Sequence, residues 1–92
     1  ESARLMIYLA ARLYDQGYQD GEYANAAKYL ASEAAFKAAE RAIMSHGGMG
    51  YAQEYHVERY MREAILTRIA PVSGEMIKNY ISQRVLGLPK SY

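Results

Sequence analysis

Few residues in this chain could carry chemistry. Two histidines, His46 and His56, stand ten positions apart, and three carboxylates, Glu54, Glu58 and Glu63, crowd the same stretch. Helical metal sites set two imidazoles, or an imidazole and a carboxylate, one turn apart on a face. The spacing here supplies neither, so no metal ligand is assigned. Arg59, Arg62 and Arg68 lie among the glutamates, which reads as ion pairing rather than acid–base work. Cysteine is absent, which removes thiolate chemistry and disulfides. No nucleophile elbow, Ser-His-Asp order or phosphate-gripping G-x-x-x-x-G-K-[ST] occurs. What remains is His46-Gly47-Gly48-Met49-Gly50-Tyr51, with three glycines in four positions. Glycine reaches positive φ without strain and has no Cβ, so bare main chain there can lie against a ligand or a neighbouring helix. From the residues alone both uses stay open.

Helices must position that turn. Leu5, Leu9 and Leu13 fall four apart with Met6 and Ala10 beside them, predicting a first helix that Gly17 closes as its C′ residue. From Tyr23 to Ser45, Ala27, Leu30, Ala31, Ala34, Ala35, Ala38 and Ala42 recur at three- and four-residue steps. They predict a second helix whose small-residue stripe lets another helix approach closely. Its outer face, Lys28, Glu33, Lys37, Glu40 and Arg41, is expected to be wet, with Glu33 and Lys37 in the favourable i, i+4 order. A third helix is predicted from about Val57 to Ile69, with Met61, Ala64, Ile65 and Leu66 on its apolar side and Pro71 as its stop. Ser73 suits the N-cap of a fourth, whose periodicity runs through Ile77, Tyr80, Ile81, Arg84, Val85 and Leu88, and which Gly87 and Pro89 end. No strand pattern competes, so the expected fold is all-α, an antiparallel, up-and-down four-helix bundle.

Composition sets the outer limits. A length of 92 residues allows one domain, residues 1–92, with a single modest core. With 51% hydrophobic and 23% charged residues the chain has a globular composition. A formal net charge of +1 leaves no basic face for nucleic acid. No apolar run approaches the roughly 20 residues of a bilayer span, and no signal-peptide pattern occurs, so a soluble protein is expected. The helical pattern begins at Glu1 with no lead-in or N-cap, and the chain is expected to be a piece of a longer protein.

One further observation is specific. The order Ala42-Ile43-Met44-Ser45-His46-Gly47-Gly48-Met49-Gly50-Tyr51, then Glu54-Tyr55, Val57-Glu58-Arg59, Arg62-Glu63-Ala64 and Ile69, closely resembles the C-terminal signature of the flavin-dependent acyl-CoA dehydrogenases. Ala3-Arg4-Leu5 through Asp15-Gln16-Gly17, and Ala31-Ser32-Glu33-Ala34, also resemble the family, so the likeness covers nearly the whole chain. It implies a C-terminal four-helix bundle, preceded in the complete enzyme by an N-terminal helical domain and a middle β domain. The implied reaction removes the α-proton of an acyl-CoA thioester with a base while the β-hydrogen passes as hydride to FAD, giving the trans-2-enoyl-CoA. Electrons would then leave to an electron-transfer flavoprotein. The resemblance also implies a homo-oligomer, dimer or tetramer, whose glycine turn contacts the FAD of a neighbouring subunit. By that match Gly47 and Gly48 are cofactor-binding. The implied compartment is the bacterial cytoplasm or the mitochondrial matrix.

The chain departs from the family pattern in two places. Met44 stands where the family has glutamine, which removes a polar flavin contact. Pro71-Val72-Ser73 aligns with the family's E-G-T, whose glutamate is the base in many members; Pro71 cannot accept a proton, so no catalytic residue is assigned. Ser73 keeps the hydroxyl of the family's threonine and is either a flavin contact or an N-cap. Glu75 lies four residues beyond Pro71, an axial shift of about 6 Å on a helix, and does not replace the lost base. Some family members supply the base from an earlier helix, which would lie upstream of Glu1. Two alternatives stand beside this reading: a catalytically silent helical assembly module, and a relative with altered, oxidase-type chemistry. By itself the chain is expected to be inactive, and to self-associate through apolar surface left for missing domains.

Overall fold

The computed structural model describes residues 1–90, and every regular element among them is helical. Helix α1 spans Ser2–Asp15, α2 Glu22–His46, α3 Val57–Ile69 and α4 Gly74–Tyr80. Two 3-10 turns, Gly47–Tyr51 and Gln53–Tyr55, join α2 to α3, and a π turn, Ile81–Val85, prolongs α4. The predicted stops act as expected. Gly17 takes φ 91° and its N–H bonds to the Tyr14 carbonyl at 2.9 Å, while the Tyr18 N–H reaches Leu13 O at 2.9 Å, a Schellman closure. At the other end of the chain Gly87 (φ 68°) follows the π turn, and the Leu88 N–H returns to Ser82 O at 2.9 Å.

Helix α2 organises the rest. Both α1 and α3 pack along it and α4 touches it more lightly, but α1, α3 and α4 build no comparable interface with one another. The result is flat, 46 × 33 × 18 Å, with a radius of gyration of 16.1 Å. A compact chain of this length would have about 12 Å. All-α is therefore what the chain is. The closure that makes four helices a bundle is not formed by this chain's own contacts.

Packing follows from that layout. Among the described residues, Ala27, Ala39, Val57 and Ile77 are the buried apolar ones, and only Ile77 is a large side chain fully enclosed. Ser32 is buried with its hydroxyl donating to Tyr29 O at 3.0 Å. Half-buried Ala3, Met6, Ala10 and Leu13 form the inner side of α1, which leaves Leu5 and Leu9 of the expected stripe exposed. On α3 the inner set is Val57, Met61, Ala64 and Arg68; of the expected apolar side, Leu66 is exposed, and Ile65 is exposed at the edge of a cavity that it lines with α2. On α2, Ala34, Ala35 and Ala38 are exposed.

Two residues assigned to the wet face of α2 lie elsewhere. Glu33 pairs with Arg68 of α3 at 2.8 Å rather than with Lys37, and the Arg68 guanidinium lies 4.9 Å above the Phe36 ring. Lys28 donates to Thr67 O at 2.7 Å and to Val72 O at 2.6 Å. Both were misplaced because their partners are 35 or more positions away, beyond any helical periodicity.

Candidate functional site

The glycine turn is a corner in which each glycine has its own reason. Gly47 ends α2 with φ 63° and ψ −141°, a conformation closed to side chains with a Cβ, and its N–H turns back to the Met44 carbonyl. Gly50 is buried: a Cβ there would lie on the Ile43 carbonyl and 2.9 Å from Ile43 Cα. That contact lets the 3-10 turn press directly onto the last turns of α2. Gly48 has neither constraint. Its φ is not positive and nothing lies within 4 Å of where a Cβ would be. Around it Met44 (75% exposed), Met49 and Tyr51 (89% exposed) stand in the open.

The histidines support this corner. His46 Nδ1 lies 2.7 Å from Ala42 O, the geometry of a donated N–H, and its ring leans on Tyr55 at 5.4 Å. His56 adopts the left-handed conformation, φ 62°, and starts α3 by offering its carbonyl to the Arg59 and Tyr60 N–H groups at 3.0 and 3.1 Å. Of the glutamates, Glu58 accepts from Arg62 Nε at 2.9 Å and raises that guanidinium's pKa, chiefly through the hydrogen bond. Glu63 lies 3.9 Å from Arg59, so ion pairs form as expected, although Arg68 chooses Glu33. Beside the corner an open cavity of about 590 Å³ runs between α2 and α3, walled by Phe36, Ile43, Tyr51, Met61 and Ile65.

The second locus lies at the far end of α3. Pro71 is exposed, and the Ala70–Pro71 peptide is cis. Ser73 Oγ accepts from the Met76 N–H at 3.2 Å, which makes it the N-cap of α4. Accepting there leaves the hydroxyl proton free to donate, so capping and ligand contact are compatible at one side chain. Ser73 and Gly74 line an open cavity of about 330 Å³ that also meets Tyr29, Arg68 and Lys78. Glu75 is exposed and accepts from Lys78 at 3.2 Å. Gly47 and Gly48 thus share one corner, and Ser73 does not join them: α3, 13 residues long, separates them by about 20 Å.

Sequence reasoning missed Lys28. A signal was there: Pro71 has no N–H, so the Thr67 carbonyl loses its i+4 donor and needs another.

Comparison with known proteins agrees with this architecture. The acyl-CoA dehydrogenase C-terminal domain family matches residues 1–86. The acyl-CoA dehydrogenase FadE12 of Mycobacterium tuberculosis is 50% identical over 94 aligned positions, covering 100% of this chain and 24% of that protein. An acyl-CoA dehydrogenase of Bacillus subtilis is 42% identical over 87 positions, covering 95% of this chain and 23% of its own length. Cyclohexane-1-carbonyl-CoA dehydrogenase of Geobacter metallireducens is 42% identical over 86 positions, covering 94% of this chain and 23% of its own. The chain spans about a quarter of the length of the curated relatives it matches. No helix among the described residues is long and apolar enough to cross a membrane. With a helical layer centred on α2, a glycine corner at its end and this likeness along its length, the chain belongs to the acyl-CoA dehydrogenase family, matching its C-terminal domain.

Proposed function

We propose that this chain is the C-terminal domain of a FAD-dependent acyl-CoA dehydrogenase, whose N-terminal helical and middle β domains complete the protein. Gly48 is the observation that carries this reading. Its backbone conformation is not left-handed and no neighbour fills the space beside it, so bare main chain there faces room that a ligand can occupy. A flavin nucleotide brought up by an adjoining protomer fits: it needs bare main chain, and both Gly47 and Gly48 offer open space where a Cβ would project.

When bound, the flavin supplies acceptance of the hydride that leaves the acyl β-carbon. This chain's residues hold and orient. Gly47 and Gly48 let the cofactor approach, and Met44 presents an apolar thioether to the same space. Ser73, its oxygen lone pair engaged by Met76, would have its hydroxyl proton to offer to a flavin acceptor. By the family resemblance the corner serves the FAD of a neighbouring subunit in a homo-oligomer, dimer or tetramer, and Ser73, at the far end of α3, makes a separate flavin contact. Exposed Leu5, Tyr8 and Leu9 on α1, with Ala34, Ala35 and Ala38 on α2, are surface for that assembly, in which the four-helix bundle closes. Pro71 has no basic atom, so the carboxylate that takes the α-proton of the acyl-CoA comes from another part of the complete protein. An electron-transfer flavoprotein takes the electrons.

Full-length protein purified from flavin-replete cells tests this. Flavin absorbance that bleaches on addition of an acyl-CoA, with reduction of a dye, is expected. Gly48→Leu should keep the thermal midpoint of the flavin-stripped protein and weaken flavin retention by about tenfold or more. A colourless protein inert toward every acyl-CoA tried would leave the helical assembly module, which the exposed apolar faces favour, as the better reading.

A further inference from the structure

We propose that Lys28 is a positioning residue: its ammonium, reaching across from α2, fixes the Ala70–Ser73 turn where the acyl-CoA site needs it. The catalytic consequence rests on the acyl-CoA dehydrogenase reading above; the hold on the turn rests on geometry alone.

The end of a helix leaves its last carbonyls without intrahelical donors. In α3 the Leu66 carbonyl takes the Ala70 N–H at 2.9 Å, but the Thr67 carbonyl faces Pro71, which has no N–H to give. Lys28 Nζ supplies the missing donor at 2.7 Å and bonds Val72 O at 2.6 Å with a second proton. Its charge also complements the negative end of the α3 dipole. Other hydrogen bonds of the turn run to its own neighbours: the Ala70 N–H to Leu66 O, the Ile77 N–H to Ser73 O, and the Met76 N–H to Ser73 Oγ. Lys28 therefore ties the turn to α2 across 39 and 44 positions of sequence.

That tie governs a partition. On one side of the turn Ala70 and Pro71 line an open space of about 420 Å³, together with Lys28, Ala31, Ala35 and Thr67. On the other, Ser73 and Gly74 line the cavity of about 330 Å³ that meets Arg68 and Lys78. Moving the turn moves both walls and the Ser73 hydroxyl with them. A displacement of about 1 Å at a positioned group costs up to about a hundredfold in rate.

The experiment compares Lys28→Met and Lys28→Arg with wild type in the full-length protein. In Lys28→Met, amide hydrogen exchange at Val72–Ile77 should rise about tenfold or more with α1 unchanged and bound flavin absorbance retained. Turnover of an acyl-CoA should fall about tenfold or more with KM held within about twofold, and Lys28→Arg, which keeps charge and multiple donors, should recover most of both losses. Unchanged exchange at that segment, or a turnover loss that only follows a uniform loss of folded protein, overturns the proposal. Should wild-type protein carry no flavin, the functional reading fails by that observation, and the exchange comparison alone upholds or overturns Lys28's hold on the turn.

Discussion

The two ends of α3 are fastened to α2 by opposite means. The N-terminal end buries the Val57 side chain, and just before it the fastening is main chain on main chain, with Gly50 of the 3-10 turn seated over the Ile43 carbonyl. At the C-terminal end it is made by side chains: Lys28 on the Thr67 and Val72 carbonyls, and Arg68 on Glu33 over Phe36. A contact that only glycine permits marks the sequence by residue type. A lysine bound to carbonyls leaves only an indirect mark, because every residue has a carbonyl and only Pro71 hints at which one lacks its donor. The first kind of fastening is rigid and intolerant of any Cβ, and the second is adjustable and fails by loss of a donor.

That contrast can be broken by mutation. Gly50→Ala should have the largest effect, about 3 kcal/mol of lost stability in denaturant unfolding, because the added methyl meets backbone that cannot rotate away. Gly48→Ala, two residues earlier, should change stability by no more than about 0.5 kcal/mol, since its conformation is not left-handed and its surroundings are empty. Equal effects at the two positions would show that the corner is not held by the Gly50 wedge. At the other end Ser73→Ala should cost about 1 kcal/mol by removing the cap on α4, and Ser73→Asp should restore it. Failure of the Asp variant to recover would mean the hydroxyl does something besides capping.

The smallest expected effect sharpens the side-chain half of the comparison. Tyr80 donates to Asp20 Oδ1 at 2.9 Å, bridging the π-turn end of α4 to the loop before α2. This hydrogen bond, with some burial, raises the Tyr80 pKa above the ordinary value near 10. A raised pKa favours the protonated form in the folded state. The contribution is therefore full below the ordinary tyrosine value and lost as pH climbs through the raised one. Tyr80→Phe should lower the thermal midpoint slightly at neutrality and flatten its decline above pH 10, so that the two proteins converge at high pH. An identical alkaline decline in wild type and variant would remove Tyr80 as its source.

Much of the local architecture was legible. The limits of α3, the closure at Gly17, the cap at Ser73 and the break at Gly47 each follow from one residue type meeting one backbone requirement. Which face of each helix is inward was not. On α1 and α3 the apolar residues outnumber the positions that α2 can cover, so periodicity names a stripe but not its centre, and Leu5, Leu9, Ile65 and Leu66 ended outside it. Of the candidate site, the glycines could be singled out from the sequence, but their separate duties could not: Gly47 turns the chain, Gly50 packs, and Gly48 is left with open space.

By itself the sequence determined that this chain is helical, where its helices stop, and which family signature it carries. Propensity, capping and glycine stereochemistry act within a few residues and need no partner. Only the tertiary structure decided that α2 is shared by the other helices, that Lys28 and Glu33 reach across to α3 and the turn after it at a part-exposed edge, and that Gly47–Gly48 and Ser73 lie apart. Those outcomes depend on residues dozens of positions distant arriving at the same place, and on a layer of helices too open to bury every apolar face that its sequence provides.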